Sequence, residues 1–411
     1  MRVCLLSTAY PPASTEGIAR QRQLLATELA RLGHDVHVVT LGAAMSVREE
    51  DGVRIHEVLV GRINRFSRKH PALDVPLTCS QALYEGLMQQ SSDRPFDIVD
   101  VPLWSSQGFV TLYRYQGPTV LWLQTTLAQL LAIHRRRPSA DQRVLLTLDR
   151  VCLERATGLL ADSYAALESI FRDYRVTRND LMGVAYLGLP PSADRDAICP
   201  ARSVVEALIV GRLEWRKGTP LLFDTLPELL RRHPKLVVRF VGRDNSAEDG
   251  WQRQHHASYS EFFQCHYPEL AQRAIFEGYV DEVRLGQCYR GADFLLAPSL
   301  YESFGLFYLE GMRAGLPVVA FAAGAAKEIF ASGEDDGALL VPPGDIAGLS
   351  TAVSRLIEQR DLRRRLGERG RTRFESVFSA EAMARATLSF YERVLARSDA
   401  FFTTPDFVSA R

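Results

Sequence analysis

Ala207-Leu208-Ile209-Val210-Gly211-Arg212-Leu213-Glu214-Trp215-Arg216-Lys217-Gly218 is a short apolar run that ends on a glycine and turns at once to charge. Four consecutive apolar residues bounded by a turn signal read as a strand buried on both faces, the kind found in parallel sheets covered by helices. Gly211 permits a tight turn at the strand end, and Arg212 and Lys217 then project from the rim of the crevice beyond it. Two cations in that place suit a diphosphate. The lysine is informative because the chain has only four, Lys69, Lys217, Lys235 and Lys327, among 49 basic residues. A compact ammonium stands where arginine is the habit of the chain.

The same rhythm extends on both sides. Downstream it predicts a helix over Pro220–Arg232, then strands at Leu236–Val241, Ala274–Glu277, Phe294–Pro298, Val318–Phe321 and Ala338–Val341, with a helix at Leu306–Ala314. Upstream, strands are expected at Val3–Leu6, Asp35–Thr40, Val53–Val58, Ile98–Val101, Thr119–Leu123 and Gly158–Ala161, with a helix over Gln21–Leu32. Polar clusters follow two of these strands (Gln124-Thr125-Thr126 and Asp162-Ser163), where a sheet's carboxyl ends line a ligand crevice. Between Leu189 and Ser203 three prolines interrupt an irregular stretch, which reads as a linker between two α/β halves. The Arg-rich stretch around Arg360, Arg363, Arg364, Arg365, Arg369, Arg371 and Arg373 reads as a solvated helix face, and a last helix is expected near Ala380–Ala396.

Composition narrows the function classes. At 411 residues the chain is too long for one core and suggests two or three domains. Its 49 basic and 49 acidic residues balance, which argues against wholesale nucleic-acid binding. Six scattered cysteines with no C-x2-C pair indicate neither a zinc cage nor a disulfide framework. No apolar run reaches the length of a membrane span, and Met1–Ser7 reads as a first buried strand, so a cytoplasmic location is expected.

A second segment concentrates chemistry. Glu302-Ser303-Phe304-Gly305-Leu306-Phe307-Tyr308-Leu309-Glu310 begins where a strand ends and runs into a helix, whose N-terminal N–H groups form an anion site. Glu302 precedes that helix and Glu310 lies about two turns inside, so their tasks should differ.

These segments, with Phe276-Glu277-Gly278-Tyr279-Val280, Ala292-Asp293, Gly315-x-Pro317-Val318-Val319, Glu328 and Leu340-Val341-Pro342-Pro343-Gly344-Asp345, resemble the retaining glycosyltransferases of family 4 (glycosyl transferases group 1) in order and spacing. The resemblance implies a GT-B fold: two facing Rossmann-like α/β domains, a hinge, and a C-terminal helix crossing back to the first domain. It divides the chain into an acceptor domain (1–195), a linker (196–203), a nucleotide-sugar domain (204–378) and the returning helix (379–411), closing about the 190–203 hinge. It implies that Arg212 and Lys217 clamp the diphosphate of a nucleotide-sugar donor, UDP- or GDP-linked, and stabilise charge growing on it. Glu310 would accept hydrogen bonds from ribose hydroxyls, and Glu302 would face the donor sugar. The backbone of Phe304, Gly305 and Leu306 would meet sugar and phosphates, and Tyr279 and Val280 with Gly242 and Arg243 would border the base. Transfer would proceed with retention, and no metal or other cofactor is expected, which fits the absence of an Asp-x-Asp pair near these segments.

The first half matches less densely. Tyr10-Pro11-Pro12 and Glu16-Gly17-Ile18-Ala19 resemble the family's glycine-rich loop with Glu16 in place of one glycine, leaving Gly17 for close backbone approach. Gln124 or Thr125 stands where many relatives carry a histidine beside the donor sugar; a glutamine binds a hydroxyl but carries no proton. Asp100 and Trp104 are the acceptor candidates, the one taking a hydroxyl proton bond and the other stacking on a ring, against a helix-capping Asp and a packing Trp. Basic clusters at Arg62, Arg65, Arg68 and Lys69 and at Arg135-Arg136-Arg137 read as solvated loops or as peripheral contact with the inner membrane surface. Rival readings are a related GT-B epimerase or phosphorylase and a non-catalytic sugar-nucleotide scaffold; a dehydrogenase is disfavoured because no G-x-G-x-x-G follows the first strand.

Overall fold

A computed structural model describes residues 1–14, 17–61, 63, 66, 68–92, 94–191 and 203–403, with side chains to Arg397. The chain divides into two compact units, one of residues 1–188 with the chain from Ala380 onward, the other Leu189–Ser379. Glu16, Arg62, Arg65 and most of the expected 196–203 linker lie outside the described residues.

The first unit carries strands β1 (Arg2–Ser7), β2 (Asp35–Gly42), β3 (Ser46–Glu50), β4 (Val53–Leu59), β5 (Ile98–Pro102), β6 (Thr119–Leu123), β7 (Gly158–Ala161) and β8 (Met182–Val184). They form one sheet in the order β3-β4-β2-β1-β5-β6-β7-β8. All neighbours pair in parallel except β3 with β4. Strands β1, β5, β6 and β7 are buried at every residue, as sheets covered on both faces require. β3 escaped the sequence reading because Ser46-Val47-Arg48-Glu49-Glu50 is polar and mostly exposed, an edge strand with no buried face to leave a hydrophobic pattern.

The second unit carries β9 (Val205–Val210), β10 (Leu236–Val241), β11 (Ala274–Gly278), β12 (Phe294–Ala297), β13 (Val318–Phe321) and β14 (Ala338–Val341), all parallel, in the order β11-β10-β9-β12-β13-β14. Counted within the unit this is 3-2-1-4-5-6, the doubly wound order, whose ligand crevice opens where the order reverses, between β9 and β12. Its core is rich in rings: Phe223 packs within 6.4 Å of Phe240, Phe263, Tyr259 and Phe276.

Two expectations are corrected here. The single helix expected over Pro220–Arg232 is two, Thr219–Phe223 and Leu226–Arg232. Pro227 lies in the first turn of the second, the one helical place where its missing N–H leaves no gap, so the helix restarts there. The Arg-rich helix Arg360–Val377 is only partly a solvated face. Arg373 donates from Nε to the carbonyl of Ile329 at 2.5 Å and from Nη2 to that of Glu328 at 3.1 Å, and Arg363 donates to the carbonyl of Leu356. These side chains close exposed helix C-terminal carbonyls.

The last helix, Ala380–Thr403, belongs to the first unit. Gly158 and Gly183 make room for it: a Cβ on Gly158 would stand 2.7 Å from Val394, and one on Gly183 2.8 Å from Phe390. Among the described residues no helix is long and apolar enough to cross a membrane.

Candidate functional site

The site of the second unit is built where β9 and β12 end. Two glycines allow the loops to touch. Gly242, after β10, has φ +147° and lies so close to the Gly211 carbonyl that a Cβ would be 2.0 Å from that oxygen. Gly218, with φ +75°, presses on the Pro298 carbonyl, 1.9 Å from the place of a Cβ. No other residue fits either position. Between Gly211 and Gly218 the single 3-10 turn Trp215–Lys217 aims consecutive cations at the segment after β12.

There they meet Glu302. Its Oε1 lies 2.8 Å from Lys217 Nζ and its Oε2 accepts from Arg216 Nη1 at 3.1 Å. Arg216 also donates to the Tyr301 carbonyl at 3.0 Å and pairs with Glu214 at 2.8 Å. Glu214 in turn lies 3.6 Å from Arg212. The result is one chain of alternating charge, Arg212–Glu214–Arg216–Glu302–Lys217. Glu214, Arg216 and Glu302 are buried, whereas the Arg212 side chain is 45% exposed. Burial by itself would push the Glu302 carboxyl up, but the charges of Lys217 and Arg216 outweigh it and hold it at about 2. Burial lowers the Lys217 ammonium, and Glu302 opposes that shift. Lys217 Nζ further sits 4.5 Å from the Phe307 ring centre.

The helix Leu306–Arg313 follows, opened by Gly305 at φ +92°. Phe304 is buried against Phe378, so only its backbone is available. Glu310 lies one turn into the helix, not two as expected, about 6 Å along its axis. The stretch from Glu302 to Gly305 is not helical and adds no turn. Glu310 Oε2 accepts from the Tyr289 hydroxyl at 2.6 Å, which orients the carboxylate. At a neighbouring corner the Arg243 guanidinium lies 5.0 Å from the Tyr279 ring centre and the Gly242 N–H donates to the Gly278 carbonyl at 2.8 Å. Tyr279 is 56% exposed and Val280 half-buried, leaving a cationic and aromatic surface.

In the first unit Gly17 opens the helix Gly17–Arg31, with open space where a Cβ would stand. Gln124 follows directly on β6 and is buried; among the described residues its Oε1 has no hydrogen-bond partner. The next residues form a capping box, Thr126 with Gln129, that starts the helix Leu127–Ile133. Trp104 is 37% exposed, and Ser105 and Ser106 after it both hold left-handed backbone (φ 51° and 52°). Asp100 does not face a cleft. It is fully buried, accepting from Arg22 Nη1 at 2.6 Å and from the Tyr391 hydroxyl at 2.6 Å. A carboxylate inside the apolar strand Ile98–Pro102 has to be paired, which rules out the acceptor role assigned to it.

The structure thus gathers Arg212, Lys217 and Glu302 into one cluster. Gly242, Arg243, Tyr279 and Val280 form another. Sequence reasoning missed Arg216, Tyr289 and Arg22. Arg216 alone carried a signal, the alternation Arg212, Glu214, Arg216 through a loop bounded by glycines. Among the described residues no group of three or more His, Cys, Asp or Glu side chains is placed to hold a metal.

Two family profiles match the chain: "Glycosyl transferases group 1" over residues 203–373 and "Glycosyltransferase Family 4" over residues 15–189. The chain is 26% identical over 424 residues to a glycogen synthase of Mycobacterium tuberculosis, covering 95% of this chain and 94% of that protein. Its fold is similar to that of sucrose-phosphate synthase from Thermosynechococcus elongatus, with TM-score 0.76, 23% identity, and coverage of 96% and 99% of the two chains. An E. coli structure described as trehalose-6-phosphate bound with UDP-2-fluoro glucose is similar at TM-score 0.72 and 14% identity, covering 96% and 99%.

Proposed function

We propose that this chain, which belongs to family 4 of the group 1 glycosyltransferases, transfers a sugar from a nucleoside-diphosphate sugar to an acceptor hydroxyl with retention of configuration and without a metal ion. The observation that carries the reading is the alternation Arg212–Glu214–Arg216–Glu302–Lys217, buried at Glu214, Arg216 and Glu302, at the sheet's switch point. Three cations against two carboxylates leave a surplus positive charge beside a helix N-terminus. A leaving diphosphate takes up negative charge as its bond to the sugar breaks, and cations already held in place stabilise that charge without reorganising. Arg212 and Lys217 therefore take the part that a divalent cation plays elsewhere.

Glu302 is ionised at any working pH, so it serves as an electrostatic partner of the positive sugar centre or as a ligand for sugar hydroxyls, not as a proton donor. Glu310, oriented by Tyr289, accepts from a ribose diol, and Tyr279 with Arg243 borders the base. In the first unit Gln124 offers its amide to a sugar hydroxyl and Trp104 its exposed ring to an acceptor. A UDP donor is favoured by the similar structure that holds UDP-2-fluoro glucose.

The test is release of nucleoside diphosphate from a panel of UDP-, GDP-, ADP- and dTDP-sugars with water as the only acceptor. Slow hydrolysis of one donor is expected in the wild type, unchanged by a chelator and abolished in Glu302→Ala and Lys217→Ala. NMR of the first-formed sugar should show the donor's anomeric configuration. Hydrolysis that survives both substitutions, or that yields the inverted anomer, would contradict the reading.

A further inference from the structure

Arg212 and Lys217, the two cations assigned to the diphosphate, are the two ends of a single chain of ion pairs, and Arg216 is its middle link. We propose that Arg216 is a positioning residue that fixes Arg212 and Lys217 relative to each other, acting through Glu214 on one side and Glu302 on the other.

The geometry supports this in three ways. Arg216 uses different edges of its guanidinium for the two carboxylates: Nε and Nη2 go to Glu214, at 3.1 and 2.8 Å, and Nη1 to Glu302 and the Tyr301 carbonyl. A planar fork with five fixed donors can hold two carboxylates at a set angle; an ammonium, a point charge with rotatable donors, cannot. Its surroundings are rigid, because the Arg216 carbonyl accepts from the Leu300 N–H at 2.8 Å and Gly218 locks the end of the turn. Finally, Nε, Nη1 and Nη2 of Arg216 are all engaged by Glu214, Glu302 and the Tyr301 carbonyl, so it is badly placed to meet a ligand itself. Each carboxylate spends one oxygen on Arg216 and turns toward a diphosphate cation: Glu302 Oε1 to Lys217, and Glu214 Oε2 to Arg212, where Asn245 Nδ2 also reaches it at 3.4 Å.

The inference rests on the glycosyltransferase reading and adds a residue that acts on the reaction without touching the substrate. Misplacing charged groups by about an ångström is expected to slow chemistry on the order of 10²-fold. Ground-state binding of the nucleotide depends less on their exact separation.

The experiment compares wild type, Arg216→Lys and Arg216→Gln by donor hydrolysis and by calorimetric binding of the matching nucleoside diphosphate. Thermal unfolding of each confirms that the variants are folded. Arg216→Lys keeps a charge on Glu302 and is expected to fold, to bind nucleoside diphosphate within about threefold of wild type, and to lose roughly tenfold in kcat. Arg216→Gln is expected to lose about 10²-fold in kcat with a smaller change in KM. If Arg216→Gln does not fold, the Lys variant decides alone. A folded Arg216→Lys with wild-type kcat, or with losses confined to KM, overturns the proposal. Failure of the wild type to bind any nucleoside diphosphate overturns the functional reading, and this inference with it.

Discussion

Glu302 shows what one side chain does when two cations share it. Its carboxyl is held at about 2, against an ordinary value of ~4.3, because Lys217 and Arg216 outweigh the penalty of burial. A depressed carboxyl adds stability above its unfolded pKa, and that stability is lost as pH falls from about 4 toward 2. Glu302→Gln should lack this part of the acid slope. At neutral pH it should be less stable by about 3–5 kcal/mol, since both cations would stay buried with too little counter-charge. Urea unfolding at several pH values reads both effects, and parallel acid slopes for the two proteins would contradict them. Asp149 behaves in the opposite sense. Burial raises it to about 6, and hydrogen bonds from Ser106 (2.8 Å) and Tyr174 (3.0 Å) offset only part of that. The folded protein then holds a proton that the unfolded chain releases, so stability falls as pH rises from about 4 through 6. Asp149→Asn should flatten that decline, and a decline of unchanged size in the variant would place its origin elsewhere.

At the scale of elements, the loop between β9 and the helix Thr219–Phe223 is the decisive piece. Its 3-10 turn stops at Gly218, where left-handed backbone and contact with the Pro298 carbonyl both exclude a side chain. Gly218→Ala is expected to lower stability by more than the ~1–2 kcal/mol of a left-handed residue alone, because the clash is with backbone that cannot rotate away. It should also weaken nucleoside-diphosphate binding by displacing Lys217. Unfolding and calorimetry together check this; a variant that keeps both wild-type values would mean the turn tolerates a shift. The helix that splits at Pro227 and the polar edge strand β3 are the elements a reading by periodicity missed. The first is a break within a continuous apolar pattern, and the second is a strand with no pattern at all.

For the molecule as a whole, the last helix matters most. Tyr391 donates to Asp100 at 2.6 Å, and Phe390 and Val394 fill the spaces that Gly183 and Gly158 leave beside the sheet. Residues as much as 291 apart in sequence thereby share one core, and the first unit is incomplete without its final segment. Tyr391→Phe should cost about 1–3 kcal/mol, the usual penalty for taking a hydrogen bond from a buried carboxylate. A chain ended after Ser379 should lose the cooperative unfolding of the first unit while the second, with its own core, keeps its transition. Differential scanning calorimetry distinguishes the two, and a truncated chain that retains both transitions would show that the helix is dispensable.

The amino-acid sequence by itself determined the two α/β halves, most strand positions, and the candidates Arg212, Lys217 and Glu302, because apolar runs with glycine stops are local signals set by neighbours in the chain. It could not tell that Asp100 is locked to Arg22 and Tyr391, that Glu310 answers to Tyr289, or that Arg216 joins Glu214 to Glu302. Those facts belong to tertiary structure. Whether a charged side chain faces a ligand or a partner depends on which distant segment the sheet order brings beside it, and no local pattern in the chain carries that information.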